Sequence, residues 1–147
     1  MESAHFPRAA FLCKTCGEQL TDFLGSAAEA SLDLRAGEAA VAQDRYVELA
    51  RSWTYRDFIA GVDGSFYVSP DGDIVAFSAG DFLLNVDAVR HAMKAGASFG
   101  CCGWQPRDEI NATCANLHDI GTVHSDCWAS AVLRLRPDLV EKVLLDE

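Results

Sequence analysis

Short runs of apolar and polar positions divide most of the chain into extended segments. Strands are predicted at Ala9 to Cys13, Arg45 to Trp53, Phe82 to Val86, Ile110 to Cys114 and Thr122 to Leu135. The most distinctive pattern is a hairpin over Ser65 to Phe77, in which Pro70 and Gly72 supply the backbone angles of a tight turn. Antiparallel strands therefore dominate the predicted fold.

Two short helices complete this prediction. Asp87 is a candidate cap for a helix that runs through Lys94, with Gly96 as its stop. Pro137 predicts the start of a final helix. The apolar positions of that final helix are Leu139, Val140, Val143 and Leu144. The predicted fold is α+β, a single domain over residues 1–147 with mainly antiparallel strands and two short helices.

Composition narrows the classes of partner. Half of the 147 residues are hydrophobic, which is enough for a real core, and the formal net charge is −10. A chain of this charge repels a phosphate backbone, so a basic protein is the expected partner and direct nucleic-acid binding is not expected. No apolar run is long enough for a signal peptide or a membrane span, so we expect a cytoplasmic protein.

A cysteine knuckle near the start carries the clearest chemistry. Cys13 and Cys16 are separated by two residues, and Gly17 follows them. This spacing brings two thiolates to one tetrahedral ion, and the glycine permits a tight turn that directs backbone N–H groups at sulfur. Because cytoplasmic thiols stay reduced, a zinc half-site is favoured over a disulfide.

Four later cysteines compete for the second half of this site. Cys114 and Cys127 would act together if they oppose each other on paired strands, whereas Cys102, beside a glycine, would project from a loop with Cys101 buried. The candidate zinc ligands are therefore Cys13, Cys16, Cys102, Cys114 and Cys127. His118 and His124 can replace a thiolate, but histidines near turns are more often surface residues.

The cysteine pattern resembles that of a group of small bacterial proteins of unassigned function. The residues that carry the resemblance are CxxCG, then GCCGW, then Asn-Ala-Thr-Cys114, then HSDCW, which ends at Trp128. The resemblance implies a zinc-bearing cytosolic domain and names no reaction. Members of the group often have a further cysteine two residues after the one matching Cys114, where this chain has Asn116.

The sequence favours binding over catalysis. It contains no HExxH, phosphate-binding loop or dinucleotide fingerprint, and a shell of four thiolates leaves no position for substrate. We therefore expect a zinc-stabilised interaction module, one version of which is an immunity-type inhibitor of a basic toxin. The alternative is a thiol-dependent enzyme or redox sensor that uses a late cysteine outside the metal site.

Overall fold

Nearly all regular structure in the computed structural model is β-strand. The model describes residues 8–29, 32, 41–54, 75–93, 110–126 and 129–145. The strands are β1 (Arg8–Cys13), β2 (Leu24–Ser26), β3 (Arg45–Glu48), β4 (Trp53–Thr54), β5 (Val75–Phe77), β6 (Phe82–Leu84), β7 (Ala92–Met93), β8 (Ala112–Thr113), β9 (Asp119–Asp126), β10 (Ala129–Leu135) and β11 (Val140–Leu144). Within these ranges no helix is long and apolar enough to cross a membrane.

Nine of these strands form one mixed sheet in the order β11-β1-β2-β3-β6-β10-β9-β8-β7. Only β2 and β3 run parallel; the other neighbours are antiparallel. Strands β4 and β5 form a separate ribbon, in which Trp53 lies opposite Phe77. Of the hairpin predicted over Ser65 to Phe77, residues 65–74 lie outside the described part of the chain.

The central strands bury both of their faces. Phe82 and Leu84 of β6 contribute to one apolar cluster, and Leu83 between them contributes to a second cluster on the opposite face. Successive side chains of a strand point to opposite faces, so an uninterrupted apolar run is what a doubly covered strand needs. In the first cluster the rings of Phe11 and Phe82 lie 4.8 Å apart. This cluster continues to the cysteines described below.

The predicted α+β class is wrong for the described residues, because both expected helices are replaced. From Asp87 the chain makes only a single 3₁₀ turn, Val86–Ala88. The side chain of Asn85 accepts the N–H of Asp87 and donates to the carbonyl of Val41, which anchors this turn to a neighbouring segment. The following residue, Val89, is extended, so the chain proceeds to β7 instead of a helix.

The final predicted helix is strand β11. After one turn at Pro137, in which Leu139 N–H donates to the Arg136 carbonyl, the chain pairs along β1 from Val140 to Leu144. The apolar spacing of this segment fits a helix, but β1 offers backbone groups that require a partner. Backbone pairing with β1 outweighs the weak preference of this segment for a helix.

The sheet curls until strands near its two ends meet. β1 is second and β8 eighth in the order of nine, yet Cys13 at the end of β1 and Cys114 after β8 belong to the same apolar cluster. A hydrogen bond of 2.9 Å from the Ala115 N–H to the Glu18 carboxylate also joins these regions. The curl therefore places the two cysteine-bearing turns side by side.

Candidate metal centre

The first turn of the site connects the end of β1 to the residues that pair back onto it. Leu12 bridges Gln19 in antiparallel register, and Cys13 N–H donates to the Glu18 carbonyl at 2.8 Å. Gly17 N–H returns to the Cys13 carbonyl at 2.7 Å, and Gly17 has a φ of 80°. This left-handed angle is costly for residues with a Cβ, which explains a glycine directly after the second cysteine.

The second turn connects β8 to β9 and runs from Cys114 to His118. Cys114 N–H donates to the His118 carbonyl at 2.9 Å, and Leu117 N–H donates to the Cys114 carbonyl at 3.0 Å. Leu117 has a φ of 68°. A branched side chain rarely takes this angle, so the turn carries local strain.

A β-bulge beside this turn sets the direction of its side chains. Ala112 of β8 pairs with Gly121 of β9, but the next residue, Thr113, pairs with Asp119, so Ile120 is the extra residue. Bulges commonly re-aim side chains next to functional sites. Here the shifted register brings His118 opposite Cys114.

Four donor atoms converge from the two turns. They are Sγ of Cys13, Cys16 and Cys114 and a ring nitrogen of His118, and all lie within 4.8 Å of one another. Cys16 Sγ lies 3.8 Å from Cys114 Sγ. His118 Nδ1 lies 3.5 Å from Cys114 Sγ and 3.9 Å from Cys13 Sγ.

Two of these three separations match those around a tetrahedral zinc ion, and the third, from His118 Nδ1 to Cys13 Sγ, is slightly longer at 3.9 Å. With Zn–S near 2.3 Å and Zn–N near 2.0 Å, tetrahedral geometry requires about 3.8 Å between two sulfurs and about 3.5 Å between sulfur and nitrogen. The set of three thiols and one imidazole is also an established structural zinc set. These four side chains can therefore hold a metal ion.

Backbone and side-chain N–H groups surround the sulfurs. Cys114 Sγ accepts from the N–H groups of Asn116 at 3.3 Å and of His118 at 3.4 Å. Cys16 Sγ accepts from the Asn116 side-chain amide at 3.4 Å. Such donors stabilise negative charge on sulfur and orient it toward a metal. Asn116 thus contacts sulfurs from both turns.

The thiols differ in environment. Cys13 and Cys114 are buried, whereas Cys16 is exposed. The Asn116 amide and then the Glu18 backbone N–H stabilise the Cys16 thiolate and lower its pKa to about 6. Burial has the opposite effect on Cys114 and raises the pKa of its thiol. Metal binding would therefore have to displace a proton from Cys114 over most of the neutral range.

Of the five cysteines predicted as ligands, the structure brings together Cys13, Cys16 and Cys114. Cys102 and Cys127 lie outside the described residues, as does Cys101. The residue opposite Cys114 is His118, to whose carbonyl the Cys114 N–H donates.

His118 is the donor that the sequence leaves as an alternative. The sequence allows it to replace a thiolate but favours a surface position; in the structure it is half-buried and its ring faces the sulfurs of Cys13 and Cys114. The spacing of three residues between Cys114 and His118 was an available signal, since zinc sites use ligand pairs at such intervals. The described part of His124 is limited to its backbone.

The chain matches no protein-family model, no curated protein and no solved structure.

Proposed function

We propose that Cys13, Cys16, Cys114 and His118 bind one zinc ion as a structural site. The convergence of these four donors from two distant turns carries the proposal. Soft thiolates favour zinc over magnesium or calcium. Four protein ligands complete a tetrahedral shell and leave no open position, which is typical of structural rather than catalytic zinc. The ion would tie the hairpin after β1 to the β8–β9 turn.

Metal content and stability test this site together. Protein purified without added chelator should contain about one zinc per chain, and chelation should lower its unfolding temperature, because the ion binds the folded chain alone. Cys114→Ser should sharply weaken zinc binding. Thr15→Ala, an exposed position in the same knuckle, is the matched control and should leave binding unchanged. Full thermal stability in metal-free protein would contradict a structural role.

We further propose that this zinc-stabilised domain works in the cytoplasm by binding a basic protein. The net charge of −10 supports this, because an excess of carboxylates attracts a cationic surface. Asp22 and Asp44 each lie near an arginine of this chain, yet their side chains remain 87% and 80% exposed. An immunity-type inhibitor of a cationic toxin is the concrete version, because charge complementarity accelerates the capture of such a target.

Partner capture from the native host, combined with co-expression beside toxins encoded near its gene, tests this second proposal. We expect a basic partner whose association rate falls as salt rises, and slower association after Asp22→Lys or Asp44→Lys. Recovery of no protein partner, together with no protection against any neighbouring toxin, would refute it. The zinc site would stand independently of that result.

A further inference from the structure

The three thiols of the candidate metal centre differ sharply in access to solvent. Cys13 and Cys114 are 1% and 0% exposed, whereas Cys16 lies on the exposed outer side of the knuckle. A metal-bound cysteine is deprotonated, so all three would be thiolates in the loaded protein. Oxidation of thiolates follows access, and a dissolved oxidant would therefore meet Cys16 first.

A sulfur from the other turn lies beside Cys16. Cys16 Sγ and Cys114 Sγ are 3.8 Å apart, although the residues are separated by 98 positions in the chain. A buried thiol in this position can attack an oxidised Cys16 and is shielded from direct attack itself. Cys16 is thus placed as the cysteine that is oxidised, and Cys114 as the resolving cysteine.

We propose that Cys16 is an oxidation site, and that peroxide converts Cys16 and Cys114 into a disulfide that releases the metal while the two turns remain joined. This inference rests on the proposed zinc site. It differs from a sensor built on a cysteine outside that site, because the reactive sulfur is itself a ligand.

The steps balance with hydrogen peroxide as the oxidant. The Cys16 thiolate attacks one peroxide oxygen, the O–O bond breaks, and hydroxide leaves as a sulfenic acid forms. The Cys114 thiolate then attacks the Cys16 sulfur, the S–O bond breaks, and a second hydroxide leaves as the S–S bond forms. Peroxide gains the two electrons that the two sulfurs lose, and two protons convert both hydroxides to water.

The oxidised product has lost the metal, but its two turns are still linked. Cys13 and His118 remain as two ligands, which hold zinc far more weakly than four. The new covalent bond spans the same two turns that the ion joined. Oxidation would therefore release zinc without separating the two turns, and a thiol reductant would restore the site.

Disulfide mapping in zinc-loaded full-length protein tests this inference. Protein with one bound zinc is treated with about one equivalent of hydrogen peroxide, released zinc is followed with a chromophoric chelator, and peptides are mapped by mass spectrometry. The triple variant Cys101→Ser, Cys102→Ser, Cys127→Ser is run in parallel, because it retains only the three thiols of the site. We expect stoichiometric zinc release, a peptide pair linked through Cys16 and Cys114, and recovery of binding after reduction and addition of zinc.

The outcomes separate the two proposals. Failure to load one zinc would refute the zinc site and the inference together. A loaded protein that keeps its zinc in about a tenfold excess of peroxide would refute the inference alone. Release accompanied by a Cys13 to Cys16 disulfide would also overturn it, because that bond lies within one turn and would leave the two turns unjoined.

Discussion

Replacing His118 tests the composition of the candidate metal centre most directly. Structural zinc in small modules contributes about 10 to 16 kcal/mol of apparent binding free energy, so an even share among four ligands is about 3 kcal/mol each. His118→Ala should therefore weaken zinc binding roughly 150-fold, since 1.4 kcal/mol corresponds to a factor of ten. Because bound zinc stabilises only the folded chain, the same difference should appear in the free energy of unfolding when zinc saturates both proteins.

Zinc competition with a chromophoric chelator measures the affinity, and circular dichroism at buffered free zinc measures the stability. A loss of about 3 kcal/mol corresponds to a fall of roughly 6 to 12 °C in unfolding temperature for a chain of this size. His118→Cys supplies a fourth thiolate and should recover much of the affinity.

Cys102→Ser and Cys127→Ser are the matched comparisons for His118→Ala. A tetrahedral ion held by the four convergent donors has no coordination position for either residue, so both variants should keep zinc affinity within about threefold. Unchanged affinity in His118→Ala, combined with a large loss in Cys102→Ser or Cys127→Ser, would refute the ligand set argued from the geometry.

Three further predictions concern the surroundings of the site and the core. Asn116→Ala removes the amide donor to Cys16 and should weaken zinc binding about 10- to 100-fold in the chelator competition, with Thr15→Ala as the control. In metal-free protein, alkylation of Cys16 by iodoacetamide should be fast above a midpoint near pH 6 and slow below it, where the thiol regains its proton; a midpoint near the ordinary 9 would contradict the stabilisation of the thiolate. Asp81→Asn removes a carboxylate that lies 3.7 Å from the buried Arg134 guanidinium and should cost about 3 to 5 kcal/mol in urea unfolding, whereas Asp44→Asn at the exposed pair with Arg45 should cost less than about 1 kcal/mol; equal effects would refute the role of burial.

Local patterns predicted the strands better than they predicted the fold class. The strand predictions at Ala9 to Cys13 and at Phe82 to Val86 are confirmed by β1 and β6, because apolar runs of this length suit buried strands. The helix predicted after Pro137 failed because its spacing fits either structure. Only the partner strand β1, far away in sequence, decides between them.

The two halves of the metal site also differ in how far the local sequence predicts them. The approach of Cys13 and Cys16 follows from a spacing of two residues and a glycine that permits the turn. The selection of Cys114 and His118 depends on the bulge at Ile120 and on the curl of the whole sheet. Neither the bulge nor the curl can be inferred from the residues around the late cysteines.

The distance along the chain between the two turns has a consequence for biosynthesis. Cys13 and His118, whose donor atoms lie 3.9 Å apart, are separated by 105 positions. Closing a loop of this length costs roughly 4 kcal/mol of chain entropy, and the tetrahedral shell is incomplete until the second turn has left the ribosome. A nascent or truncated chain that ends before Cys114 would present only the knuckle from this set of donors, and one that ends before His118 would still lack the fourth. Stable metal loading would therefore mark a polypeptide synthesised at least as far as the β8–β9 turn, and it would distinguish such chains from abortive products.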